Sequence, residues 1–188
     1  MKKSLIIVVL LSSYIVSCNQ NSSFDEEKYI TLGKEIGQIT GKTLATQLKK
    51  TIKEQGAIEA ISFCNLKAYP LTDSLSQIHQ VVIKRVATKF RNHNNQANQQ
   101  EEKIIQEYIN LLSQNKDLSP VIERENGIIH FYAPIKVQKA CLKCHGTLGT
   151  EVSDSLYNHI KNLYPKDLAI DFKKGDIRGV WNINFKEK

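Results

Sequence analysis

Between residues 28 and 55 the apolar side chains Tyr29, Leu32, Ile36, Leu44, Leu48 and Ile52 recur at three- and four-residue steps, with one gap. That period predicts an amphipathic helix. Gly33, Gly37, Gly41 and Ala45 follow one another every four residues on a neighbouring face. Such a stripe admits another backbone or a flat group, and tight helix packing is preferred here over contact with a bound group. Gly56 ends this helix, and a second, Ala57–Tyr69, runs up to Pro70 with Ile58, Ile61 and Phe63 around Cys64. Gln80–Ala87, rich in Val and Ile, predicts a strand. After it, residues 88–95 lose any apolar period and are dominated by turn formers. Glu101–Leu112 predicts a helix with Ile104, Ile105, Tyr108, Leu111 and Leu112 facing inward. Val121–Glu125 and Gly127–Val137 form a hairpin about Asn126-Gly127, Ser153–Leu163 a helix capped by Ser153, and Ile177–Phe185 a final strand. No internal repeat or low-complexity segment interrupts the pattern.

The first residues break from it. Lys2 and Lys3 precede an apolar run, Leu5–Leu11 and again Tyr14–Val16, which is too short to span a bilayer and reads as a secretory signal. Ile15-Val16-Ser17-Cys18 resembles a bacterial lipobox, in which Cys18 is acylated and becomes the first mature residue. The expected organisation is therefore a lipoprotein signal peptide at 1–17, an acylated Cys18 with a polar tether at 18–27, and one domain at 28–188. Loss of Lys2 and Lys3 takes the formal charge from +7 to +5. Without aromatic and basic interleaving, an exported chain of this charge is a poor fit to nucleic acid.

The chemistry is concentrated in Cys141-Leu142-Lys143-Cys144-His145, followed by Gly146. Two thiols three positions apart with an adjacent imidazole have the spacing that joins two haem vinyl groups as thioethers and ligates the iron. A zinc knuckle would need a second ligand pair, and only Cys64 remains in the mature chain, with no His at finger spacing. A thioredoxin-like CxxC would sit in a βαβ setting, which the pattern lacks. One covalent haem c is the reading, with His145 on one side of the iron.

For the other side, composition excludes a thioether, because the single Met is Met1 and leaves with the signal. Cys64, His79, His93, His130, His159, a Lys or an open position remain. Cys64 is favoured: it is the one thiol left over in an oxidising compartment, and coordination would deprotonate and protect it. Arg85, Lys89 and Arg91 place cations near one strand end, and Arg85 and Arg91 are candidate clamps for the haem propionates.

Four segments together resemble the mono-haem c-type family with a PAS-like fold, a domain-of-unknown-function family that is also the sensor module of some bacterial histidine kinases. They are Ala57–Cys64 with Ala68; Arg85 to Asn92 with Asn95; Pro134 to Gly146; and Tyr164–Ala169 with Gly175–Gly179. The resemblance implies an α+β fold, a helical N-terminal half packed on an antiparallel sheet that cradles one covalent haem. It also implies His/Cys axial ligation by His145 and Cys64.

A thiolate ligand stabilises ferric iron and sets a low potential, within the roughly 0.8 V over which axial ligands move haem. This suits a redox or gas (NO, CO) responsive lipoprotein, with low-potential electron transfer as the alternative. The expected protein is not an enzyme. It is anchored at the cell envelope, facing the periplasm or exterior, and acts on an unidentified redox or signalling partner.

Overall fold

The first helix starts where a side chain can close its open end. Asp25 accepts the Lys28 N–H at 3.1 Å, and Glu26 and Glu27 fill the first turn of α1 (Glu26–His79), favourable at a positive helix terminus. The computed structural model describes residues 24–187. The expected signal segment and Cys18 lie outside the described residues, and α1 begins two residues inside the stretch expected as tether.

Gly56 breaks α1 as predicted: its φ of 90° and ψ of 177° are non-helical and divide the element into two arms. Pro70 does not end the second arm, which continues to His79. A proline removes one N–H bond, here on an exposed side of the helix. Packing holds the rest, since Ala68 and Thr72 are buried and the Thr72 hydroxyl donates to the Ala68 carbonyl at 2.8 Å.

The remaining elements are β1 (Val82–Val86), α2 (Gln99–Ser113), β2 (Val121–Glu125), β3 (Ile128–Lys136), α3 (Leu142–His145), α4 (Asp154–Leu163) and β4 (Ile177–Lys186). Short 3-10 turns lie at His93–Asn95, between β1 and α2, and at Lys139–Cys141, just before α3. The Asn98 side chain and Glu101 cap α2 reciprocally. Asn126 and Gly127, at φ of 52° and 74°, make the predicted tight turn of the β2–β3 hairpin. The strands form one antiparallel sheet in the order β1-β4-β3-β2. This is the PAS-like α+β arrangement expected.

Alternation along the strands gives the sheet two apolar faces. Ile83, Phe131, Ile183 and Phe185 pack under the first arm of α1. There the glycine stripe meets the sheet instead of another helix: a Cβ on Gly33 would lie 2.3 Å from the Phe131 ring. On the opposite face Val86, Tyr132 and Val180 pack with Ile104, Ile105 and Tyr108 of α2. A third cluster, Ile61, Leu156, Ile160 and Tyr164, fastens the second arm to α4. Between these anchors, no residue from Gly41 to Glu59 is buried. The inner sides of both arms overhang the sheet end there, and a recess is left beneath them.

Candidate functional site

The recess is a cavity of about 300 Å³. Gly41, Leu44, Ala45 and Leu48 form its roof from the first arm, and Phe63, Cys64 and Ala68 close it from the second. Its floor is the sheet end, with Arg85 from β1 and Gly179 and Trp181 from β4. His145 enters from the short α3 and Cys141 from the turn just before it. Thus Gly41 and Ala45, half of the glycine stripe, do face a bound-group space, while Gly33 and Gly37 serve packing.

Folding brings Cys64, Cys141, His145 and Arg85 to one cavity. Cys144 turns from it toward the cluster around Ile61 and Leu156. Cys64, Cys141 and Cys144 are all free of disulfides. Burial pushes the Cys64 thiol up, and the nearby Arg85 guanidinium opposes that shift. Burial likewise raises the Cys144 thiol.

The His145 ring is held from behind. Its Nδ1 lies 2.7 Å from the Ala169 carbonyl oxygen, so Nδ1 carries the proton and donates it. Nε2 is then left as the lone-pair nitrogen, the tautomer a metal ligand requires. Phe172 stands edge-on to the ring, centroids 6.3 Å apart. Burial, reinforced by Arg178 and Arg91, holds the imidazole well below its usual pKa and therefore neutral.

Arg91 has a different place from the one expected. It is absent from the cavity lining and its side chain is almost wholly buried. Its Nε donates to Asp167 Oδ1 at 3.1 Å, and its Nη2 donates to the carbonyls of Cys144 at 2.7 Å and Ala169 at 3.1 Å. Asp167 Oδ1 also accepts the Ala169 N–H at 3.0 Å. With its Nε and Nη2 committed to Asp167 and two carbonyls, Arg91 is a brace that fixes the carbonyl orienting His145. Lys89 is committed too, donating to the Ile170 carbonyl at 2.5 Å.

Arg178, to which the sequence reading assigned no role, lines the cavity beside Arg85. Burial and the neighbouring cations Arg91 and Arg85 lower its pKa to about 10, with Asp167 opposing. It donates to the Lys89 carbonyl at 2.9 Å and lies over the Phe172 ring. Asp167 and Ala169 were also without assigned roles. The only signal for them was their place in the Tyr164–Ala169 segment, since a carbonyl's role has no side-chain signature.

The other histidines fall elsewhere. His159 Nε2 is 3.0 Å from Ser62 Oγ, linking α4 to the second arm. His130, next to Phe131, points to the opposite sheet face. His93 packs on Phe90, 5.4 Å between centroids, and His79 closes α1. Among the described histidines only His145 lines the cavity.

An apolar slot with a free imidazole nitrogen, a thiol in the same lining, a cysteine at the rim and two cavity arginines is a donor set that fits a flat, iron-bearing macrocycle with carboxylate arms. A family model described as Tll0287-like matches residues 20–185. Among solved structures, "Crystal structure of the cyanobacterial heme-protein Tll0287" matches with a TM-score of 0.56 and 22% identity, covering 82% of this chain and 96% of that one. At that identity the likeness is one of fold. No curated protein sequence matches the chain.

Proposed function

Because the chain belongs to the Tll0287-like family, we propose that it is an exported, lipid-anchored haem protein carrying one covalent haem c. Cys141 and Cys144 form the thioethers, His145 Nε2 and Cys64 hold the iron, and Cys18 carries the lipid. The single observation behind this reading is that Cys64 lines one cavity with Cys141 and His145 although it lies far from that motif in the chain.

When bound, haem supplies one-electron chemistry and a site for diatomic gases. The residues supply the rest. Ala169 holds the proton on His145 Nδ1, so Nε2 keeps the lone pair that would bind iron. Leu44, Leu48 and Phe63 exclude water. Arg85 and Arg178, neither of which is ion-paired with a carboxylate among the described residues, would receive the propionates. Cys64 as thiolate favours the ferric state, and it sits on the second arm, beyond the Gly56 hinge. Release of Cys64 on reduction or gas binding would free that arm to move, which is the basis of a redox or gas-responsive role. Low-potential electron transfer is the alternative, and in neither is the protein an enzyme.

The test is expression of the full chain with haem-ligation machinery. A coloured product that keeps haem stain through denaturing electrophoresis is expected, and a colourless one ends the proposal. Ready binding of CO or NO by the reduced protein favours sensing; unchanged six-coordinate spectra favour transfer. Labelled palmitate should enter the wild-type chain and be absent from Cys18→Ser.

A further inference from the structure

Every segment that lines the cavity lacks a carboxylate. Its lining comes entirely from residues 36–53, 60–72, 80–98, 126–150 and 177–186. None of these stretches, nearly half of the chain, contains one of the 19 Asp and Glu residues. Glu101, Glu102, Glu107, Glu123 and Glu125 lie on α2 and β2, and α2 packs on the sheet face turned away from the cavity; Asp176 is the one acid within two residues of a lining residue.

The same acid-free segments carry Lys42, Lys49, Lys67, Lys136, Lys139 and Lys143, all exposed. Each lines the cavity or lies within two residues of one that does. They come from both arms of α1 and from the end of β3 through α3, so several segments that line the cavity each bring an exposed cation beside it. On the haem reading the propionates would be met by Arg85 and Arg178, which line the cavity, and these exposed lysines are left over. Leu66, 67% exposed, adds an apolar contact next to Lys67. An apolar point among cations matches the anatomy of a transient protein interface. Lysines, strongly hydrated on flexible stems, steer an encounter without locking it.

We infer that this lysine collar is the docking surface for an acidic protein that exchanges electrons with the cavity site. Its purpose, though not its existence, rests on the haem reading above. An anionic bilayer is less well matched: lipid-binding polybasic regions are continuous clusters beside a membrane segment or along one helix, whereas these cations come from separate segments beside a recess.

Two measurements decide it. In the first, an oligoglutamate peptide is titrated into the isotopically labelled full chain at low and at 0.2 M salt. Shift changes should centre on Lys42, Lys49, Lys67, Lys139 and Lys143 and vanish at high salt. Changes confined to other surfaces, or binding of phosphatidylglycerol vesicles through these lysines without peptide binding, would overturn the inference. This arm needs no haem, so a colourless protein would defeat the functional reading and leave the collar to be judged separately.

In the second, the reduced, haem-loaded chain is oxidised by ferricyanide or by hexaammineruthenium(III). Ferricyanide oxidation should slow with salt and ruthenium oxidation should quicken. The collar variant Lys42→Glu/Lys49→Glu/Lys67→Glu should slow ferricyanide about tenfold at low salt, within the range of electrostatic steering. The remote variant Lys28→Glu/Lys103→Glu/Lys116→Glu, equal in charge change, should leave the rate within about twofold at that ionic strength. Equal slowing by both variants would make the effect one of net charge and refute a local docking surface.

Discussion

Arg91 and Cys64 show how differently two buried side chains serve one site. Arg91 is spent on Asp167 and on the carbonyls of Cys144 and Ala169, so its contribution is structural. Removing its carboxylate leaves a buried cation unpaired, and Asp167→Asn should lower unfolding free energy by about 3–5 kcal/mol in urea titrations. Glu187→Gln, which breaks the exposed ion pair with Arg124, should cost less than about 1 kcal/mol. Cys64 has no such structural duty among the hydrogen bonds of the described residues. Cys64→Ala is expected to keep haem covalently attached through Cys141 and Cys144 while the ferric spectrum loses its thiolate signature. An unaltered spectrum would remove Cys64 as ligand.

At the scale of elements, the first arm of α1 works through what it lacks. Phe131 occupies the space a Cβ at Gly33 would need, whereas the nearest atom to a Cβ at Gly37 is 3.7 Å away. Gly33→Ala should therefore destabilise by about 1–3 kcal/mol through overpacking. Gly37→Ala should be neutral or stabilising by up to about 1 kcal/mol, from its helix propensity. Equal urea midpoints for the two variants would contradict the packing described. The arms themselves were legible from apolar spacing and Gly56. The continuation past Pro70 was not, because the penalty of a lost N–H bond is local while the packing of Ala68 and Thr72 that outweighs it is tertiary.

For the whole molecule, the cavity is the seam where both arms, the sheet end and α3 meet, so filling it adds contacts to all of them at once. The haem-loaded chain should melt higher than a Cys141→Ser/Cys144→Ser variant. A rise of roughly 5 °C or more is expected, since each kcal/mol moves a domain of this size by about 2–4 °C. Calorimetry of the two proteins is the measurement, and equal melting temperatures would place the cofactor outside the seam. Sequence alone determined the strands, the hairpin turn, the Gly56 break and the Cys141–His145 motif, because these depend on local periodicity, backbone freedom and spacing within a turn. Only the tertiary structure decided that Cys64 joins His145 in one cavity, that Arg91 braces while Arg178 lines, and that the acid-free segments line that same cavity. Those facts depend on which distant residues folding brings together, and no local pattern encodes that.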